Sequence, residues 1–284
     1  DYFKSGVRVC LNEGLTFSNG FECELTSEIP VKAGCGSSSA IMVSWIHFLS
    51  QMADEPPNWD RQKIGELAYR AEATEFNEPG GMMDQYSSAV GGIIYLESEP
   101  EISIRELCPK LGAFVLGDSG EPKDTLGILQ RCRDNRLTII QKLKIQNPDF
   151  DLHSCDSDVN AEGLNDDEKV LLEGTIRNRD LLRQALQVLE KDQPDHELIG
   201  KLLFEHHSVL RDVLKVSTPK IETMLDAAQN AGALGGKING SGGGGCMFAY
   251  APDNSEFIAD AIEKAGGEAT IIRHAEGTKI VLLK

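Results

Sequence analysis

The run Gly240-Ser241-Gly242-Gly243-Gly244-Gly245 leaves this chain few ways to fold around it. Glycine loses more conformational freedom on ordering than any other residue, so four in succession weaken a helix or a strand interior. Apolar segments flank the run. Lys237–Ile238 reads as a strand before it, and Cys246–Tyr250 as a strand after it. A tight turn between strands needs one or two glycines, and the surplus implies close approach to another backbone or to a ligand. The letters satisfy G-x-G-x-x-G, but a dinucleotide fingerprint opens a helix after a strand. Here a strand follows, which excludes that reading. Gly236-Lys237 is no Walker motif either, because Ile238 follows the lysine.

A second glycine-rich segment, Ala33-Gly34-Cys35-Gly36-Ser37-Ser38-Ser39-Ala40, lies between a predicted strand (Phe21–Pro30) and a segment apolar nearly all round (Ala40–Met52). A helix of that composition is buried. Its first N–H groups lack partners and carry partial positive charge, so the loop and helix start make an anion site suited to a triphosphate. A serine hydroxyl there can ligate Mg²⁺ or touch a phosphate oxygen. A plain Gly/Ser turn with serine caps is the alternative. A third segment runs from Ala71-Glu72-Ala73-Thr74-Glu75-Phe76 to Gly80-Gly81-Met82-Met83-Asp84-Gln85-Tyr86-Ser87-Ser88. Glu72 on a helix end and Asp84 after a Pro/Gly loop can converge on a metal and a proton. Taken alone the signal is weak, because a helix Glu is usually solvated and a loop Asp usually caps something.

Net charge narrows the partners. Lys plus Arg number 28 against 45 Asp plus Glu, a net charge of −17. So acidic a chain is a poor partner for nucleic acid or anionic lipid, and any phosphate must be held by local features. No run of 18 apolar residues exists, which excludes a membrane-spanning helix. The seven cysteines are odd in number and scattered without a C-x-x-C, which points to a reduced, cytoplasmic protein. His206 and His207 are adjacent on a predicted helix, about 100° apart, and read as surface or capping residues.

Along the chain, strand pairs alternate with helix runs, which argues for an α+β fold. Asn58 is expected to cap a helix running to about Phe76. Gly91–Glu97 and Ile102–Leu107 read as a strand pair, and Ala113–Gly117 as a further strand. Helices are expected over Asp124–Leu143, Asp166–Glu190, His196–Leu214, from Thr218-Pro219 onward, and over Ser255–Ala265, followed by two terminal strands. The Pro-Lys-Leu-Gly stretch at Cys108–Gly112 is the candidate boundary, giving domains 1–110 and 111–284. Asp1–Glu13 reads as the middle of a helix, so a further N-terminal piece is expected.

In this order the three segments resemble the GHMP kinase family, named for galactokinase, homoserine kinase, mevalonate kinase and phosphomevalonate kinase. Within it the match is placed nearest the galactokinase branch. Gly34–Ala40 looks like the family's phosphate loop, and Met82-Met83-Asp84-Gln85 like the galactokinase segment with its catalytic aspartate. Glu72 stands where the family carries a magnesium-ligating glutamate, and Lys237–Cys246 looks like the third family motif. His207, Arg211-Asp212 and Val216–Ile221 also fit. The resemblance implies a two-domain α+β kinase with its active site in the interdomain cleft. It implies ATP and Mg²⁺ as cofactors and a small-molecule sugar as acceptor, galactose or a relative. Asp84 would act on the acceptor hydroxyl. Ser38 and Glu72 would hold the metal. Gly34, Cys35, Gly36, Ser37, Ser38, Ser39, Gly242, Gly243 and Gly244 would surround the nucleotide. A mevalonate- or homoserine-type acceptor, or a catalytically silent sugar-sensing regulator, are the alternatives. The family's first motif, G-R-x-N-L-I-G-E-H-x-D-Y, is not found. The arginine and sugar contacts it supplies are expected upstream of Asp1, so the chain alone is expected to be inactive. Gly117–Thr125 departs from the galactokinase pattern, which puts galactose itself in question.

Overall fold

The computed structural model describes residues 1–30, 33–78, 80–123 and 125–281. They divide into two compact units. One comprises Asp1–Cys108 and the C-terminal stretch from His274, and the other Pro109–Arg273. The sequence division at 1–110 and 111–284 assigned that C-terminal stretch to the second unit. In the structure it packs on the first.

The first unit is built on helices α1 (Tyr2–Asn12), α2 (Ser37–Met52), α3 (Arg61–Glu72) and α4 (Met83–Val90), with an antiparallel pair β1 (Ile93–Glu97) and β2 (Ser103–Leu107). Asp1 caps α1 by accepting from the N–H groups of Phe3 and Lys4. Its core is the α2 stripe Met42, Val43, Ile46 and Leu49 against Ile64, Leu67, Ala68 and Ala71 of α3, with Val9 and Cys10 of α1. Each such burial contributes roughly 1.5–3 kcal/mol for the larger side chains. The nearly all-apolar composition of α2 follows from this, because α1, α3 and α4 surround it. Asp60, not Asn58, caps α3 by accepting from Lys63 N–H, and the helix ends at Glu72 before a single 3₁₀ turn, Thr74–Phe76.

Residues 21–30 form no strand. The stretch is largely exposed and pairs with no strand among the described residues. Its alternation of Phe21, Cys23 and Leu25 is therefore unused, except that the Phe21 ring meets Trp45 and Phe48 edge-on. The C-terminal stretch closes the unit. Gly92 N–H donates to Ala275 O at 2.7 Å and Thr278 N–H to Ala89 O at 3.0 Å. Gly277 lies so close to Ala89 and Val90 that a Cβ there would run into their backbone.

The second unit holds a four-stranded antiparallel sheet in the order β4-β5-β3-β6, from β3 (Phe114–Asp118), β4 (Gly235–Ile238), β5 (Cys246–Tyr250) and β6 (Glu268–Ile272). Helices α5 (Thr125–Gln146), α6 (Asp166–Leu189), α7 (His196–Asp212), α8 (Pro219–Asn230) and α9 (Ser255–Lys264) complete it. Helices α8 and α9 cover the sheet and bury Ile221, Met224, Leu225, Ile258 and Ile262 against Val115, Ile238 and Met247. Thr218 caps α8 and Pro219 opens it, the pairing that the local sequence predicts. The expected start of α5 at Asp124 lies outside the described residues. Gln146 closes α5, and the polar stretch 147–165 is a loop, anchored by Phe150 and Leu164 on Ile139, Leu143, Leu172 and Ile176. Of the two terminal strands expected, β6 forms. Residues 273–281 contribute a single bridge, Glu276 to Gly91, and the last three residues lie outside the description.

Candidate functional site

The glycine-serine segment turns into α2 through Gly34 (φ 81°) and Gly36 (φ 67°), both in the left-handed region where a side chain is strained. Gly36 is the residue before the helix, and no side chain caps that end. The first intrahelical bond runs from Ala40 N–H to Gly36 O at 2.9 Å. The N–H groups of Ser37, Ser38 and Ser39 thus have no partner within the helix, and the first turn carries no acidic residue. Cys35 sits half-buried between the two glycines. Backbone N–H groups and dipole in this arrangement can hold an anion without a basic patch.

Two carboxylates stand beside it. Glu72, the last residue of α3, is only 7% exposed. Burying a carboxylate is costly unless its oxygens are engaged, and both are. Ser38 Oγ donates to Glu72 Oε1, and Gln85 Nε2 donates to Glu72 Oε2 at 2.7 Å. Gln85 also donates to Ser39 Oγ at 3.1 Å, so α2, α3 and α4 are joined through three polar side chains. Asp84 is exposed in the first turn of α4. Its carboxyl group faces Gly36, where an added Cβ would stand 3.6 Å from Asp84 Cγ. The glycine therefore leaves room directly beside the carboxylate. The field of Glu72 is felt at Tyr2, whose phenol is pushed up to about 12 by burial and by its bond to Glu78.

Among the described residues, no group of three or more His, Cys, Asp or Glu side chains could hold a metal ion. A dedicated all-protein cage is therefore not what Glu72 and Ser38 offer. They supply one carboxylate and one hydroxyl, hard oxygen donors. That set fits magnesium, which takes few protein ligands, several waters and phosphate oxygens.

The predicted residues Gly242, Gly243 and Gly244 belong to the second unit. All have positive φ (80°, 78° and 113°). Gly243 N–H donates to Val216 O at 2.6 Å, and Gly245 N–H to Glu121 O at 3.0 Å. A Cβ on Gly242 would stand 2.6 Å from Val216 Cβ, and one on Gly244 2.9 Å from Pro122 O. The surplus of glycine thus serves close approach to the backbone of its own unit. Next to this loop, Lys237 Nζ donates to Ile238 O at 2.8 Å and lies over the Phe248 ring. Burial, with the charge of Lys123, pulls the Lys237 ammonium down to about 8.

His206 and His207 are not surface residues, contrary to the sequence reading. His207 is 3% exposed. Its Nδ1 accepts from Ile238 N–H at 3.3 Å, which fixes the tautomer with Nε2–H donating to Glu222 Oε1 at 2.9 Å. Burial holds His207 below the usual range against the pull of Glu222, and drops His206 to about 4. The two ring positions on α7 face the sheet and α6, which adjacency in sequence does not reveal. Sequence reasoning also assigned no role to Gln85. The signal was there, because Gln85 occupies the stripe of α4 that Tyr86, Ala89 and Val90 bury, where a polar residue needs partners.

Comparison with known proteins places this geometry. The model described as "GHMP kinases N terminal domain" matches residues 1–92, and that described as "GHMP kinases C terminal" matches 182–268. The expectation that the family's N-terminal signature is missing is corrected at that level, since the N-terminal domain model matches from the first residue. A mevalonate kinase of Thermococcus gammatolerans is 32% identical over 98% of this chain and 74% of its own length. A galactokinase of Streptomyces coelicolor is 27% identical over 93% of this chain and 69% of its own. The placement nearest the galactokinase branch is thus corrected too, since the mevalonate kinase is the more similar in sequence. The solved structure of Lactococcus lactis galactokinase complexed with galactose superposes with a TM-score of 0.78 at 19% identity, over 98% of this chain and 74% of that one. No helix among the described residues is long and apolar enough to cross a membrane. With both domain models matched in order and a relative above 30% identity, the chain belongs to the GHMP kinase family, ATP-dependent phosphotransferases that use Mg²⁺ and act on hydroxyl groups.

Proposed function

We propose that this chain moves the γ-phosphoryl group of ATP to a hydroxyl of mevalonate or a closely related small hydroxy acid. The carrying observation is the juxtaposition at the start of α2. A turn of unpaired N–H groups, a serine bonded to a buried glutamate, and an exposed aspartate facing Gly36 stand together. In this reading the N–H groups of Ser37–Ser39 hold phosphate oxygens, while Gly34, Cys35 and Gly36 shape the turn. Glu72 and Ser38 would hold magnesium, which neutralises charge on the phosphates when bound. Asp84 accepts the proton of the attacking hydroxyl. The new bond forms from that oxygen to the γ-phosphorus as the bond to the β–γ bridging oxygen breaks, leaving ADP. Such chemistry rests on positioning and charge stabilisation more than on covalent intermediates. Gly242–Gly244, packed on the backbone of their own unit, would in this reading contact the nucleotide.

Mevalonate is the first reading of the acceptor because the relatives of higher identity are mevalonate kinases. A monosaccharide is the second, favoured by Met82-Met83-Asp84-Gln85 and by the likeness to galactokinases. The test is ADP release with Mg²⁺ and ATP across mevalonate, galactose, other monosaccharides and homoserine, with Asp84→Asn as control. Release with mevalonate, lost in the control, supports the first reading. Release with a sugar replaces it with the second. No release with any acceptor, while ATP still binds, overturns both in favour of a regulator.

A further inference from the structure

Gln85 is 4% exposed, and its amide is divided between two tasks. Its nitrogen donates to Glu72 Oε2 at 2.7 Å and to Ser39 Oγ at 3.1 Å. A carboxylate can only accept, so the nitrogen must face Glu72, and the amide orientation follows from chemistry. The carbonyl oxygen then points elsewhere, and it is buried with no hydrogen-bond partner. A buried unpartnered carbonyl of this kind takes ordered water or marks a functional position. The carboxylate that Gln85 grips is the one whose other oxygen takes the Ser38 hydroxyl, at the edge of the phosphate cradle. Each oxygen of Glu72 carries one donor and keeps a lone pair.

We infer that Gln85 is a positioning residue for the divalent cation. Its N–H groups fix the orientation of Glu72, the carboxylate proposed to hold the ion. The residue touches neither the acceptor nor the phosphates. It sets how firmly the cation is held, and Asp84, one position earlier on the same helix, acts on the acceptor independently of it. This inference rests on the proposed assignment of Glu72 to the metal.

The experiment measures Mn²⁺ binding to the full chain with ADP present, by electron paramagnetic resonance, in wild type, Gln85→Met and Glu72→Gln. Methionine keeps the length of the side chain and removes both hydrogen-bonding ends. The expected result is a roughly 10- to 100-fold weaker Mn²⁺ affinity for Gln85→Met, with ADP affinity in EDTA unchanged. In turnover, the Mg²⁺ requirement rises while the KM for the acceptor stays. Wild-type Mn²⁺ affinity in Gln85→Met, alongside a loss in Glu72→Gln, overturns the role of Gln85 and leaves the metal assignment standing. Unchanged affinity in both variants overturns the assignment itself. Should Gln85→Met not fold, the wild-type protein decides. In ¹⁵N-labelled protein with ADP, adding Mg²⁺ should shift the Gln85 side-chain amide resonances and slow their hydrogen exchange, and resonances that stay in place refute the inference.

Discussion

Asp84 stands in the first turn of α4 with its carboxyl group facing Gly36. Asparagine there keeps the shape and removes the proton acceptor. We expect kcat to fall roughly 10²- to 10⁴-fold in Asp84→Asn, with nucleotide affinity held, measured by ADP release and nucleotide titration. A kcat within threefold of wild type would remove Asp84 from the chemistry. His206 makes a different statement at the same scale. Its folded value is about 4 against an ordinary 6.5, so between those values the unfolded chain binds a proton that the folded chain excludes. The contribution to stability is complete above pH 6.5 and is lost as pH falls toward 4, by up to roughly 3 kcal/mol. His206→Leu, set among Leu202, Leu203 and Leu189, should flatten the fall of Tm between pH 7 and 4. An unaltered slope would assign the acid sensitivity elsewhere.

Helix α7 and strand β4 meet backbone to backbone at Gly200 and Gly235: a Cβ on Gly235 would clash with the Gly200 main chain, and one on Gly200 with that of Leu234, just before β4. The pairing brings His207 of α7 within reach of Ile238 N–H. Gly200→Ala should destabilise the protein by roughly 1–3 kcal/mol, read by urea denaturation, while Gly232→Ala, where space is open, costs only the strain of its positive φ. Equal midpoints for Gly200→Ala and wild type would show that the helix can lift off the strand at no cost. Elements of this kind were partly legible in the sequence. The Thr218-Pro219 start of α8 and the β1–β2 pair follow from capping chemistry and alternation, signals local to the chain. Phe21–Pro30 alternates just as well and forms no strand, because pairing needs a neighbour and alternation cannot name one. Asn58 and Asp60 are equally good caps by type, and the observed start of α3 selects Asp60. In the site, Ser38, Glu72 and Asp84 were readable as residue types at a spacing. The polar link through Gln85 and the inward turn of His206 and His207 were not, since both depend on which helix face the neighbours cover.

Over the whole molecule, the chain leaves the first unit after Cys108, builds the second through Arg273, and returns to the first. The return is specific. Ala275 O and Thr278 N–H bond the chain around Ala89–Gly92, and Thr278 Oγ1 meets His47 Nδ1 at 2.9 Å. Residues 1–273 without the tail should therefore lose stability in the first unit. At roughly 1 kcal/mol for each backbone bond, the Tm should drop by roughly 5 °C, with faster proteolysis within α1 to α4 and the second unit unchanged. A tail-less protein that melts with wild type would make the return ornamental.

That return also sets an order of events in time. Synthesis delivers the helices carrying Ser38, Glu72 and Asp84 ahead of the second unit, yet the end of α4 takes backbone partners from residues 275 and 278, which follow that unit. The second unit has all of its own residues once Arg273 emerges. On a ribosome, then, the unit begun before the second is finished after it. A nascent chain from which residues up to Arg273 have emerged would hold a complete second unit and a first unit still waiting for its final strut.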